Sequence, residues 1–198
     1  MAPAPEEAWE LWHPAELAER LCRSPAIWCV VGGWALDLWH GVETRSHDDL
    51  ECAVIATDLP GVLGHLTSLT FFAAEAGRLT RLPLGSLPPG ARQFWGLDPE
   101  PRVWRVDVMV DPGTRAQWVY KRDPAIRRPR ADIVQRTARG IPYLAPEAVL
   151  LFKAKHRRDK DEADFETALP KLSRDRKRCL AGWLAIAHPR HDWLTRLR

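Results

Sequence analysis

The 198-residue chain lacks most of the features that assign a protein at sight. It has only four cysteines (Cys22, Cys29, Cys52, Cys179), with no CxxC pair and no His/Cys cluster. That excludes a structural zinc site of the usual spacing and leaves reduced thiols of a cytoplasmic protein as the expectation. No long apolar run is present. The longest stretch without Asp, Glu, Lys or Arg, residues 59–74, contains Pro60, Gly61, Gly64 and His65 and makes a poor membrane span. No charge of one sign dominates: the net charge is +3, with the basic excess mainly in the C-terminal third, so nucleic-acid binding does not follow from charge. Met1–Trp9 is proline-rich and acidic, unlike a signal peptide. Neither GxxxxGK[ST] nor GxGxxG occurs, and there is no internal repeat or low-complexity segment.

What is present is a chain of 45% hydrophobic residues with ten tryptophans, large enough for a full core. Pro5–Arg23 reads as an amphipathic helix and Ala26–Val31 as a short buried strand. Gly32–Gly33 makes a sharp turn into a helix, Trp34–His40, closed by Gly41. Asp49–Ile55 follows as a second strand. Asp58 is placed to cap a helix over Leu59–Leu69, and Thr70–Ala74 and Arg78–Leu82 read as strands around a Gly77 turn. Pro83–Glu100 reads as a loop or loose hairpin. Val103–Val110 alternates an apolar face with one presenting Asp107, and Asp111–Pro112–Gly113 ends it. Arg115–Ala138 is basic and interrupted by prolines, and Ile141–Leu144 reads as an edge strand. Helices are expected over Pro146–Arg158, Lys160–Leu169, Arg174–Ala187 and a last turn, His191–Leu197. The expected architecture is α/β (α+β): a mixed sheet with helices packed on it over residues 1–145, then a C-terminal helical region, 146–198.

Three acids stand out. In a strand Asp49 and Glu51 point the same way, with Cα atoms about 6.5–7 Å apart. Asp107 adds a third carboxylate on another strand. Two readings are open: edge-strand acids facing water, or a Mg²⁺ site, since Mg²⁺ takes a few carboxylate oxygens and completes its shell with substrate phosphate. Gly32–Gly33 is either a plain turn or a bare helix N-terminus that phosphate can approach without a Cβ in the way. Arg45 and His47 lie just before Asp49, as solvated loop residues or within reach of phosphate. If residues 150–161 are one helix, Lys153, Arg157, Lys160 and Asp164 share a face. Trp95, Trp104, Trp118 and Tyr120 are either core or the lining of an acceptor pocket.

These residues resemble the DNA polymerase β-like nucleotidyltransferase superfamily: a hydrophobic strand, Gly-Gly opening a helix, Asp-x-Asp/Glu on the next strand and a third acid later. The resemblance is closer to the small antibiotic nucleotidyltransferases of the aminoglycoside 2″- and lincosamide type, which carry similar Gly-Gly-Trp-Ala-φ-Asp and Thr-Arg-x-His-Asp-Asp-φ-Asp runs. Here these are Gly32–Asp37 and Thr44–Glu51. Glu51 stands where those relatives usually have Asp. The resemblance implies an adenylyltransferase with Mg²⁺ as cofactor and ATP or another nucleoside triphosphate as co-substrate. Asp49 and Glu51 would hold the metal, and Asp107 would complete the metal site or act as base. Gly32, Gly33, Arg45, His47, Lys153 and Lys160 would face the nucleotide. The expected acceptor is a hydroxyl of a small, antibiotic-like molecule. Two rivals remain: an acceptor on protein or tRNA, with the basic stretch Lys121–Arg130 as contact surface, and a nucleotide-binding module without turnover.

Overall fold

The computed structural model describes residues 2–83 and 87–198. In chain order the elements are α1 (Pro14–Arg20), β1 (Trp28–Val30), α2 (Gly32–His40), β2 (Glu51–Ile55), α3 (Leu59–His65), β3 (Thr70–Glu75), β4 (Arg78–Arg81), β5 (Gln93–Asp98) and β6 (Val103–Asp111). They continue with β7 (Gln117–Val119), β8 (Arg127–Pro129), α4 (Arg130–Ile133), β9 (Val134–Arg136), β10 (Pro142–Leu144), α5 (Pro146–Lys153), α6 (Asp159–Ala168), α7 (Arg174–Ala187) and α8 (Trp193–Arg196). Eight strands form one mixed sheet in the order β4-β3-β5-β6-β2-β1-β10-β9, and β7 and β8 form a separate hairpin. The pairs β2–β6 and β1–β10 are parallel, the others antiparallel. Among the described residues no helix is long and apolar enough to cross a membrane.

The helix α2 packs on α5 and β10, and α5 packs on α6 and α7. The main apolar cluster runs from Trp12 through Val30, Leu50 and Val108 to Leu150, Phe165 and Trp193, and a smaller one gathers Ala4, Phe72, Leu97 and Trp104. Gly41 ends α2 in the left-handed conformation (φ 79°) that glycine adopts without a Cβ clash.

Several expectations are revised. The helix expected over Pro5–Arg23 is confined to Pro14–Arg20. Residues 8–12 instead run beside the start of β6: Trp104 N–H donates to the Ala8 carbonyl (2.8 Å), and Glu10 and Trp12 donate to Trp104 and Arg105 carbonyls. Backbone pairing with an open stretch of β6 outweighs a helical pattern that Pro14 interrupts. Asp58 caps nothing. Its carboxylate accepts from Ile27 N–H (2.7 Å) and from Arg115, and the helix after it stops at His65. Within the loop expected over Pro83–Glu100, residues 84–86 lie outside the described residues, and Gln93–Asp98 forms an interior strand between β3 and β6. Likewise β10 lies inside the sheet, between β1 and β9, rather than at its edge. The helix expected to Arg158 ends at Lys153, and Arg157 takes a positive φ (51°) at the break. Lys153 and Asp164 therefore meet by folding back, and not along one helical face.

Candidate active site

The centre of the site is set by register. In the parallel pair β2–β6, Glu51 is the Cα partner of Asp107, so both carboxylates leave the same face of the sheet. Asp49 precedes the strand proper; the ladder begins where Asp107 N–H donates to the Leu50 carbonyl (2.8 Å). The turn into α2 closes over these acids. Gly32 has φ 65°, and a Cβ placed on it would stand 2.1 Å from Glu51 Oε2. A bare α-carbon therefore makes room for a carboxylate one methylene longer than aspartate, beside the N–H groups that open α2.

The electrostatics are those of buried acids held close together, with burial outweighing the pull of the surrounding lysines and Arg158. Burial and the neighbouring Asp49 charge push Glu51 up to about 7. Burial, then the Glu51 charge, hold Asp107 well above the usual carboxylate range, against the bond it accepts from Gln93 Nε2 (2.5 Å). Burial also raises Asp49, with Lys160 pulling the other way. Among the described residues no three His, Cys, Asp or Glu side chains stand as a ready-made metal cage. The donor set fits a hard cation that brings other oxygens with it: carboxylates only, with Glu51 and Asp107 in register and a glycine-bared helix start alongside.

Beside Glu51 a cleft of about 180 Å³ has an apolar wall that includes Met109, Trp118 and Phe152 and a basic rim of Lys121, Arg122, Lys153 and Arg158. Lys121, Arg122 and Arg158 went unassigned as site residues from sequence, because only the β7–β8 hairpin and the break after α5 bring them to this rim. Of the aromatics, Trp104, Trp118 and Tyr120 are buried core, Trp118 also forming part of the cleft wall, and Trp95 stands opposite Asp107.

Arg45 and His47 are placed differently from the expectation that they face phosphate. Arg45 makes a two-pronged pair with Asp164 (Nε–Oδ1 2.8 Å, Nη2–Oδ2 3.0 Å), and its Nη1 donates to His47 Nδ1 (3.1 Å). Arginine only donates, so His47 carries its hydrogen on Nε2 and gives it to Asp37 Oδ2 (2.5 Å). Asp37 also accepts from Thr44 N–H and its hydroxyl. Asp37, Thr44, Arg45 and His47 thus brace the connection that delivers Asp49, and no room is left behind Gly33, whose Cβ would meet Arg45 and His47 at 2.5–2.6 Å. Lys153 is buried between Asp164 Oδ2 (2.7 Å) and Asp161 Oδ1 (3.2 Å) at the cleft wall, and Lys160 pairs with Asp48 (2.9 Å) on the surface.

Comparison with known proteins starts from no sequence signal: no protein-family model matches the chain, and no curated protein does. Solved structures do match. The chain is similar to ANT(2″)-Ia in complex with adenylyl-2″-tobramycin at TM-score 0.59 and 13% identity, over 87% of this chain and 95% of that one. It is similar to the lincomycin-bound lincosamide antibiotic adenylyltransferase LnuA at TM-score 0.55 and 16% identity, over 83% of this chain and 96% of that one. This is the nucleotidyltransferase fold. In a nucleotidyltransferase fold that spans nearly the whole of both neighbours, β2, β6 and the Gly32 turn are continuous with the rest of the sheet, and the acids stand at its middle.

Proposed function

We propose that the protein is a Mg²⁺-dependent nucleotidyltransferase that moves AMP from ATP onto a hydroxyl of a small molecule. The observation that carries the reading is the in-register Glu51–Asp107 pair facing the bared start of α2. Asp49 and Glu51 would hold Mg²⁺, with Asp107 close enough to complete the site. The ion supplies charge neutralisation on the phosphates, where such transfers gain most of their rate. Residues 1–145 would carry the acids, and 146–198 the cations Lys153 and Arg158. Lys121, Arg122, Lys153 and Arg158 form the basic rim suited to a triphosphate, and the cleft is smaller than the several hundred Å³ of a whole-ligand pocket. It suits the phosphate end of a nucleotide.

In the transfer the acceptor oxygen attacks the α-phosphorus and the bond to the bridging oxygen of pyrophosphate breaks. The acceptor's proton passes to Asp107 in its ionised form. A small-molecule acceptor is favoured over RNA because Lys121 and Arg122, the start of the basic stretch, stand at the rim of this cleft, where they are used by the nucleotide. The test is incubation with α-labelled ATP, Mg²⁺ and a panel of lincosamides, aminoglycosides, RNA and protein. Label on a small molecule is expected, with Asp49→Asn abolishing transfer. Label on RNA or protein alone, or full activity in Asp49→Asn, overturns the reading.

A further inference from the structure

A second cavity, of about 650 Å³, opens at the edge of the sheet between the end of α1, the start of β1 and the β9–β10 hairpin. That volume falls within the range of pockets that take a whole small ligand. It shares no lining residue with the cleft beside Glu51. The two meet through the buried Arg130–Asp111 pair (3.1 Å), Arg130 lining the one and Asp111 the other.

Its charge is of one sign. Arg115, Arg130, Arg136 and Arg139 line it, and among the described residues no Asp or Glu does. Two of the four are neutralised by carboxylates outside the cavity. Arg115 pairs with Asp58 (2.7 Å), and Arg130 with Asp111, while Arg130 also donates to the Thr114 and Gln117 carbonyls. Arg136 and Arg139 have no carboxylate partner among the described residues, and Arg136 donates only through Nη1, to the Gly140 carbonyl (2.8 Å). Both are exposed to water and are carried on a tight turn in which Gly140 N–H donates to the Thr137 carbonyl (2.9 Å) and Gly140 takes φ 81°. The rest of the wall is largely apolar and includes Leu21, Ile27, Trp28, Val134 and Pro142.

A guanidinium presents a planar fork of donors that matches two oxygens of a phosphate at once. Two such forks without acids beside them hold two uncompensated positive charges, the charge of one dianionic phosphate. We propose that this cavity is a second ligand site, separate from the cleft, and that it takes a phosphomonoester of a small molecule with an apolar body. Arg136 and Arg139 hold the phosphate, and the body lies on the apolar wall. The ligand-sized volume and that wall favour a small molecule over a strand of nucleic acid.

The test is isothermal titration of phenyl phosphate, inorganic phosphate and benzyl alcohol into wild type, Arg136→Glu, Arg139→Glu and Lys121→Met. Arg139 has no partner to lose, so Arg139→Glu reads binding with the fold intact, which an unchanged Tm confirms. Phenyl phosphate is expected to bind wild type with Kd at or below about 1 mM, and inorganic phosphate and benzyl alcohol each more weakly. Each glutamate variant should weaken phenyl phosphate by at least about tenfold. Lys121→Met, at the rim of the other cleft, should leave that affinity unchanged. Wild-type affinity in either glutamate variant, a loss in Lys121→Met, inorganic phosphate binding as tightly as phenyl phosphate, or no binding of phenyl phosphate at millimolar concentration overturns the proposal. Displacement of phenyl phosphate by a lower concentration of a single-stranded RNA oligonucleotide overturns it too, and makes this face a nucleic-acid surface instead.

Discussion

Replacing Glu51 with Gln separates what the acid costs the fold from what it does for function. The group goes from an ordinary 4.5 to about 7 in the folded protein. A raised folded-state value means that the native state holds the proton more tightly. Stability from this group is therefore full below about pH 4.5 and is lost as pH climbs to about 7. The difference of 2.5 units, 7 − 4.5, corresponds to about 3 kcal/mol. Glu51 still meets some water, and screening reduces the expected gain from Glu51→Gln to about 1–2 kcal/mol. Its carboxylate accepts no hydrogen bond from the described residues, so the amide forfeits no partner. Calorimetry without metal should show Tm higher in Glu51→Gln by about 3–6 °C near pH 8. Near pH 5 the two should melt together to within about 1 °C. Mg²⁺ with ATP should raise the Tm of wild type and leave the variant unmoved. A variant less stable than wild type near pH 8, or a gap that does not widen with pH, would refute the claim that burial, and after it the Asp49 charge, penalises the Glu51 carboxylate in the folded protein.

Other outcomes follow from the same geometry. Gly32→Ala puts a methyl where Glu51 Oε2 stands and forces alanine into φ 65°; a stability loss of about 1–3 kcal/mol is expected in a melt, with Mg²⁺-ATP binding abolished by isothermal titration. Arg45→Ala removes one of the two cations on Asp164, leaving Lys153, and the donor to His47, so urea melts should show a loss of about 1–2 kcal/mol, with nucleotide affinity within about twofold of wild type. A large specific loss of affinity there would restore Arg45 to phosphate binding. Lys121→Met, at the rim of the cleft, should raise KM for ATP about tenfold with Tm unchanged.

The elements that sequence made legible are those whose signals are local. Gly41 after an apolar run marks a helix end wherever it occurs, and the alternation of 103–110 admits only a strand with Asp107 on one face. The acids could be named because a strand's two-residue period puts Glu51 and Asp107 each on a definite side. Their shared side, however, depends on the β2–β6 register, which is a pairing between distant segments. The same limit explains the misplaced roles. Arg45 reads as a free cation until Asp164, 119 residues away, is brought to it, and the pairing of Lys153 with Asp161 and Asp164 shows only when α6 folds back. The Trp9 segment carries a helical pattern, and only the open flank of β6 makes it a strand partner.

The brace formed by Arg45 and Asp164 has a consequence for the order of events during synthesis. A ribosome will have finished more than four-fifths of the polypeptide before the clamp on the Asp49 connection exists. Nascent chains therefore carry the connection before Asp49 in an unlatched form, and the stability that the clamp confers should arrive in one late step when the sixth helix emerges, instead of accruing with length.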